Sequence, residues 1–350
     1  MRRLPIFLLL DVSESMIGDN LRQLQQGIAS LVGKLRTDPH ALETVYLSVI
    51  AFAGKVRTLA PLTELAMFYP PHLPVGAGTS LGAALDHLMT DIERTVVKNT
   101  AERKGDWRPI VYLMTDGKPT DDTEAAFARW QRDFASRVTL VAIGVGQHAA
   151  LDTLRQLSAH VLHLQADNEQ DFRRFVDWVS MSISAQSRSV ASTTSGMVNL
   201  AKLDNGIMQQ VSAIGRAAHV DADFVIISAR CQSNRLPYLI KYERVAETLE
   251  RSGFRLQLER YHLTGVFALE QDYYGMSDER GLAASVNSDT LIGSPGCPHC
   301  GNPIGFAICR CGQVMCLRGP GHATCPACLK EGEFGISEAS DGFEVNRSRG

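Results

Sequence analysis

Hydrophobic and polar positions alternate in blocks along the first half of the chain. Ile6–Leu10, Val45–Phe52, Ile110–Thr115, Val138–Ile143 and Val161–Leu164 are short, nearly continuous apolar runs. Such runs read as strands buried on both faces. Val56–Leu62, across the turn Gly54-Lys55, reads as a further strand. Between the strands lie amphipathic helical patterns. Asn20–Leu35 places Leu21, Leu24, Ile28, Leu31, Val32 and Leu35 on one face, and Leu81–Val97 does the same with Leu81, Leu85, Leu88, Ile92 and Val96. Asp122–Ala135, Leu151–Leu157 and Glu169–Ser184 complete the series. Strands alternating with helices predict an α/β fold: a doubly wound, mostly parallel sheet over residues 1–186.

After residue 186 the pattern breaks. Residues 187–220 begin rich in Ser and Thr and read as a linker, with a short helix conceivable from Met197 to Val211. Phe224–Ser228, Tyr238–Glu243, Phe254–Tyr261 and Thr264–Gln271 are β-branched or aromatic runs bounded by turn residues. They predict a small β-rich domain over 221–335. The Ser-, Glu- and Gly-rich stretch 336–350 reads as a disordered tail.

The polar residues at the strand ends carry the candidate chemistry. Asp11-Val12-Ser13-Glu14-Ser15 follows the first apolar run, Thr79 lies in the loop Gly76-Ala77-Gly78-Thr79-Ser80, and Asp116-Gly117 follows another run. Ligands of parallel sheets bind beyond the carboxyl ends of strands. Two carboxylates and three hydroxyls there suit one small hard cation, magnesium or manganese. Neutral hydroxyl ligands leave that ion net positive and able to attract a carboxylate from another molecule. No His lies near the Asp and Ser residues to act as a base, so the pattern argues for binding rather than hydrolysis. The glycines of Gly76-x-Gly78 with Gly82 lack the Lys-Ser/Thr of a phosphate loop.

These three segments resemble the metal-ion-dependent adhesion site of the von Willebrand factor A domain. The resemblance implies that Asp11, Ser13, Ser15, Thr79 and Asp116 hold the ion, directly or through water.

Cysteine usage adds a second chemistry. Of eight cysteines, seven fall between Cys297 and Cys328, and Cys231 stands apart. Clustering of this kind marks a metal site rather than a disulfide framework. The knuckles Cys297-x2-Cys300 and Cys325-x2-Cys328 are expected to form one four-thiolate zinc site. Cys309, Cys311, Cys316 and His322 are expected to supply a second, with a cross-braced pairing as the alternative. A site filled by sulfur has no open catalytic position and contributes about 10–16 kcal/mol of folding energy. Cys231, after Val225-Ile226-Ile227, reads as a small buried apolar residue, and His299 as facing away from the site.

A von Willebrand A domain followed by Pro237-Tyr238-Leu239-Ile240-Lys241-Tyr242-Glu243 and the cysteine cluster resembles TerY-type proteins of bacterial tellurium-resistance and stress systems. That resemblance implies a non-enzymatic adaptor working with a serine/threonine kinase and a PP2C-type phosphatase.

Composition narrows the alternatives. With 45% apolar residues, 21% charged residues and a net charge of −3, the chain has no bulk basic character. Nucleic-acid binding through a zinc ribbon has Arg310, Arg318 and Lys330 but no basic stripe. A ubiquitin-ligase-like cross-brace fits the Cys309-x-Cys311 spacing poorly. A chelatase-type role beside a ring ATPase would keep the adhesion site and change the partner. No run approaches a membrane span, and the opening apolar run is too short for a signal peptide and ends in the acidic loop. A reducing, cytoplasmic location is expected.

Overall fold

A computed structural model describes residues 2–100, 102, 104–116, 118–146, 149–164, 169–191, 208–210, 223–251, 254–278, 284–335 and 342–347. The chain divides into two compact units, Met1–Ala218 and His219–Gly350.

In the first unit the apolar runs become β1 (Leu4–Asp11), β2 (Val45–Phe52), β3 (Val56–Glu64), β4 (Ile110–Thr115), β5 (Thr139–Val145) and β6 (His160–Leu164). The helical patterns become α1 (Asp19–Arg36), α3 (Leu81–Thr95), α4 (Glu124–Asp133), α5 (Leu151–Arg155) and α6 (Glu169–Ala191). A short α2 (Pro39–Thr44) was not among the expected elements. It is capped by Asp38, whose carboxylate accepts from the amides of His40 and Ala41, with Pro39 in the first turn. A three-residue strand, β7 (Met208–Gln210), pairs antiparallel with β6.

The sheet order is β3-β2-β1-β4-β5-β6-β7. The five inner strands run parallel, and β3 and β7 are antiparallel edges. All residues of β1, β4 and β5 are buried, which is why their sequences are apolar without alternation. Phe7, Leu9, Val111 and Leu113 face Leu85 and Leu88 of α3 and Phe127 and Trp130 of α4. α1 packs along α6 on the other side. The approach is close enough that a Cβ on Gly27 would meet Phe172 at 2.6 Å. From β1 the chain winds outward to β3, then returns to β4 and winds the other way. The strand order reverses between β1 and β4, where a doubly wound sheet opens a crevice.

The expected linker is partly helix. α6 runs on through residues 187–191, and Ser187 is fully buried with its hydroxyl 2.7 Å from that of Thr44. Ser180, Ser182 and Ser184 are buried too. Small polar residues that let helices approach have the same composition as a linker, so the sequence pattern misleads here. Of the conceivable helix 197–211, residues 208–210 are strand and the others lie outside the described residues.

The second unit holds β8 (Phe224–Arg230), β9 (Pro237–Arg251), β10 (Phe254–Ala268), α7 (Tyr273–Met276), β11 (Ala284–Asn287), β12 (Leu291–Ile292), β13 (Ile304–Ile308), β14 (Val314–Leu317), β15 (Gly321–Thr324), β16 (Glu331–Phe334) and β17 (Glu344–Arg347). One sheet has the order β12-β10-β9-β8-β14-β13, and β11–β17 and β15–β16 form separate pairs. Two expected strands, Phe254–Tyr261 and Thr264–Gln271, are one, because an irregularity between Leu263 and Gly265 takes up the turn-like residues without breaking the ladder. The expected disordered tail contains β17, anchored by buried Val345 and by the Arg347 guanidinium donating to the Phe224 carbonyl at 2.9 Å. Residues 336–341 and 348–350 of that tail lie outside the described residues. Among the described residues no helix is long and apolar enough to cross a membrane.

Candidate metal centres

The crevice between β1 and β4 gathers the oxygen-rich segments. Leu10 pairs with Met114 at the end of the ladder, so Asp11 and the Thr115–Asp116 pair emerge side by side. Asp11 is fully buried. Its Oδ1 accepts from the Ser13 amide at 2.9 Å and its Oδ2 from the Thr115 hydroxyl at 2.6 Å. The Ser13 and Ser15 hydroxyls lie 3.0 Å apart, and the Ser15 hydroxyl donates to Asp116 Oδ2 at 2.5 Å. Asp116 Oδ1 accepts from the Lys118 amide at 3.2 Å.

The loop carrying Thr79 joins through a parallel bridge between Ser13 and Gly76 and through the Gly76 amide donating to the Val12 carbonyl at 3.1 Å. Thr79 Oγ1 is buried and has no hydrogen-bond partner among the described residues. A buried hydroxyl left without a partner is costly and calls for an explanation. A cation would supply one, since a hydroxyl oxygen is a ligand for a small hard ion.

Electrostatics point the same way. Burial, and then repulsion from Asp116, push the Asp11 carboxyl up to about 7. Burial of the Asp11 carboxyl beside Asp116 favours either a proton or a bound cation there. The structure thus brings Asp11, Ser13, Ser15 and Asp116 into one hydrogen-bonded group, with Thr79 on the adjoining loop. Thr115, which holds Asp11, is a contributor the sequence pattern did not single out; its signal was its place as the last residue of a buried strand.

The cysteines divide otherwise than their spacing suggested. Cys297 and Cys300 join Cys231 and Cys316, and Cys325 and Cys328 join Cys309 and Cys311. The expected pairing of the two C-x-x-C knuckles in one site is therefore wrong. So are the placing of Cys316 with Cys309 and Cys311 and the assignment of His322 as a ligand. Cys231 is buried in the apolar core as expected, but its thiol also joins the first group, which was not expected. His322 is exposed on β15 opposite Glu333, and the His299 ring bonds the Pro237 carbonyl at 2.8 Å.

The physical reason lies in long-range pairing. β14 runs parallel to β8, with Val314 opposite Ala229 and Met315 opposite Arg230, so the next residues, Cys316 and Cys231, come together. The Gln232 amide donates to Cys316 Sγ at 3.2 Å.

Three turns present the thiols in the same way. In each, the cysteine carbonyl accepts from the amide four residues on and the cysteine amide donates to the carbonyl five residues on: Cys231 with Arg235 and Leu236, Cys297 with Gly301 and Asn302, Cys325 with Leu329 and Lys330. Arg235, Gly301 and Leu329 all have positive φ, of 61°, 73° and 61°. Such strain in Arg and Leu persists only where the surroundings impose it.

Sulfur atoms in contact lie 3.7 Å apart for Cys300–Cys316 and 3.8 Å apart for Cys309–Cys328 and Cys311–Cys325. Four thiolates around a tetrahedral zinc, with zinc–sulfur bonds of about 2.3 Å, would be separated by about 3.8 Å. Both groups therefore have the donors and the spacing for such an ion.

Comparison with known families finds two domains. The von Willebrand factor type A domain matches residues 6–179, and the TerY-C metal binding domain matches residues 221–350. The chain belongs to the TerY type. Solved structures of low identity also match part of the chain. Proximal thread matrix protein 1 from the mussel byssus matches at 20% identity over 52% of this chain and 48% of that one, with a TM-score of 0.38. BatB from Bacteroides thetaiotaomicron matches at 18% identity over 52% and 99%, with a TM-score of 0.36. The vWF domain of the type V pili tip protein Mfa5 from Porphyromonas gingivalis matches at 12% identity over 52% and 96%, with a TM-score of 0.38. The chain spans about half the length of the thread matrix protein.

Proposed function

We propose that this TerY-type chain is a non-enzymatic adaptor. Its A domain captures a partner protein through magnesium or manganese held by Asp11, Ser13, Ser15, Thr79 and Asp116. The observation that carries the reading is the buried Thr79 hydroxyl, which has no hydrogen-bond partner among the described residues, on the loop that adjoins two carboxylates at a sheet switch point. Bound there, the ion offers an open position to a carboxylate from the partner. The protein's own residues orient the ligands: Thr115 and the Ser13 amide hold Asp11, and Ser15 and the Lys118 amide hold Asp116.

Zinc in the two cysteine centres acts structurally, since four sulfurs close each site. The family context favours a serine/threonine kinase and a PP2C-type phosphatase as partners. Eight cysteines, none of them in a disulfide, suit a reducing compartment such as the cytoplasm.

Capture from a native-host extract with magnesium or with chelator tests this reading. Wild type should retain a partner only with magnesium, and Asp11→Ala and Thr79→Val should retain none. Equal capture by wild type and both variants, or capture indifferent to chelation, would contradict it.

A further inference from the structure

Thr79 is clamped at its backbone and left free at its side chain. Its amide donates to Thr120 Oγ1 at 2.8 Å, and its carbonyl accepts from the Thr120 amide at 2.9 Å. The next residue, Asp121, accepts from the amides of Gly82 at 3.2 Å and Ala83 at 3.0 Å, at the start of α3. Burial pushes the Asp121 carboxyl up, against the pull of those amide donors. Two consecutive residues of the loop after Asp116 thus grip the chain on both sides of the Thr79 hydroxyl.

The glycines make the grip possible. Gly78 has φ of +90°, and a Cβ there would sit 3.4 Å from both Gly54 Cα and Thr120 Oγ1. A Cβ on Gly82 would meet the Asp122 carbonyl oxygen at 2.6 Å. The glycine-rich stretch therefore serves loop-to-loop contact, which accounts for glycines that no phosphate-binding pattern explains.

We infer that Thr120 and Asp121 are positioning residues for the metal site: they latch the Thr79 loop to the Asp116 loop and set the distance between those two ligands. The inference rests on the proposed magnesium site. Neither residue touches the ion in this account. They act through Thr79, and geometry at a metal site depends on such supporting bonds.

The test is a magnesium titration by calorimetry on the full chain with its cysteine metals retained, together with the unfolding temperature in magnesium-free buffer. Thr120→Val keeps the shape and removes the accepting oxygen, and Thr120→Ser restores it. Thr120→Val should weaken magnesium binding about tenfold, the equivalent of one lost hydrogen bond, and Thr120→Ser should bind as wild type does. Gly82→Ala should weaken binding as well, by pushing the loops apart.

A purely structural role would lower the magnesium-free unfolding temperature and leave the affinity unchanged. If wild type binds magnesium and Thr120→Val binds it equally well, the latch is wrong while the site stands. If wild type binds none, the site falls and the latch with it. Should Thr120→Val not fold, Gly82→Ala decides by the same comparison.

Discussion

Asp11 sets the pH behaviour of the A domain. Its carboxyl is raised to about 7 in the metal-free fold by burial and by Asp116, against an ordinary unfolded value of about 3.9. The folded chain therefore binds this proton more tightly than the unfolded chain. Its stabilising contribution is fully present below pH of about 4 and is lost as pH rises through about 7. Metal binding has the opposite sense, because the ion displaces the proton. Magnesium affinity should rise about tenfold per unit as pH climbs toward 7 and level off above it, which calorimetry at a series of pH values would check.

Thr79→Val separates the two roles of its site. Removing a buried hydroxyl that has no partner should leave magnesium-free stability unchanged or slightly higher, while magnesium-induced stabilisation disappears. The five proposed oxygen ligands are legible in the sequence because they follow buried strands or lie in a short glycine loop. Thr115 shows only its place at the end of a buried strand. Thr120 and Asp121 are not legible, because their roles are defined by what folds against them. Cys231 is illegible for the same reason: its partner Cys316 arrives through β8–β14 pairing.

Among the elements, the two cysteine centres do different work. One ties the end of β8, the strand β14 and the Cys297–Cys300 turn together within the six-stranded sheet. The other joins the turn between β13 and β14 to the β15–β16 hairpin, a pair with no further strand beside it. A lone hairpin is marginal by itself. The Lys330 amide bonds the Cys328 thiol and lowers it to about 7, so this one half-buried thiol is partly thiolate at neutral pH before any metal arrives. Cys231→Ser should abolish cooperative unfolding of the second unit. Cys325→Ser should keep it and raise amide exchange only in β15 and β16. Each variant should lose one metal equivalent by elemental analysis. Element by element, the α/β half follows its hydrophobic pattern closely, since buried parallel strands need unbroken apolar runs. The second half follows less well. A long irregular strand such as β10 mixes polar residues, and a short separate pair such as β11–β17 carries only the facing Val286 and Val345 as buried apolar anchors.

At the scale of the molecule, each unit closes a core of its own. Phe7, Leu113 and Trp130 belong to one core, and Ile227, Tyr238 and Val314 to another. Two unfolding transitions are expected. Saturating magnesium at a hundredfold excess over Kd adds about 2.7 kcal/mol to the A domain, a rise of roughly 5–10 °C for a domain of its size, and leaves the other transition in place. Chelators strong enough to strip the cysteine centres should do the reverse, as scanning calorimetry would show.

Anomalous diffraction from crystals of the full chain grown with manganese tests the adhesion site most directly. One manganese peak is expected where β1 and β4 part, enclosed by Asp11, Ser13, Ser15, Thr79 and Asp116, with the Thr79 hydroxyl satisfied by the ion or by its water. An A domain saturated with manganese elsewhere, with no peak at that place, would contradict the site.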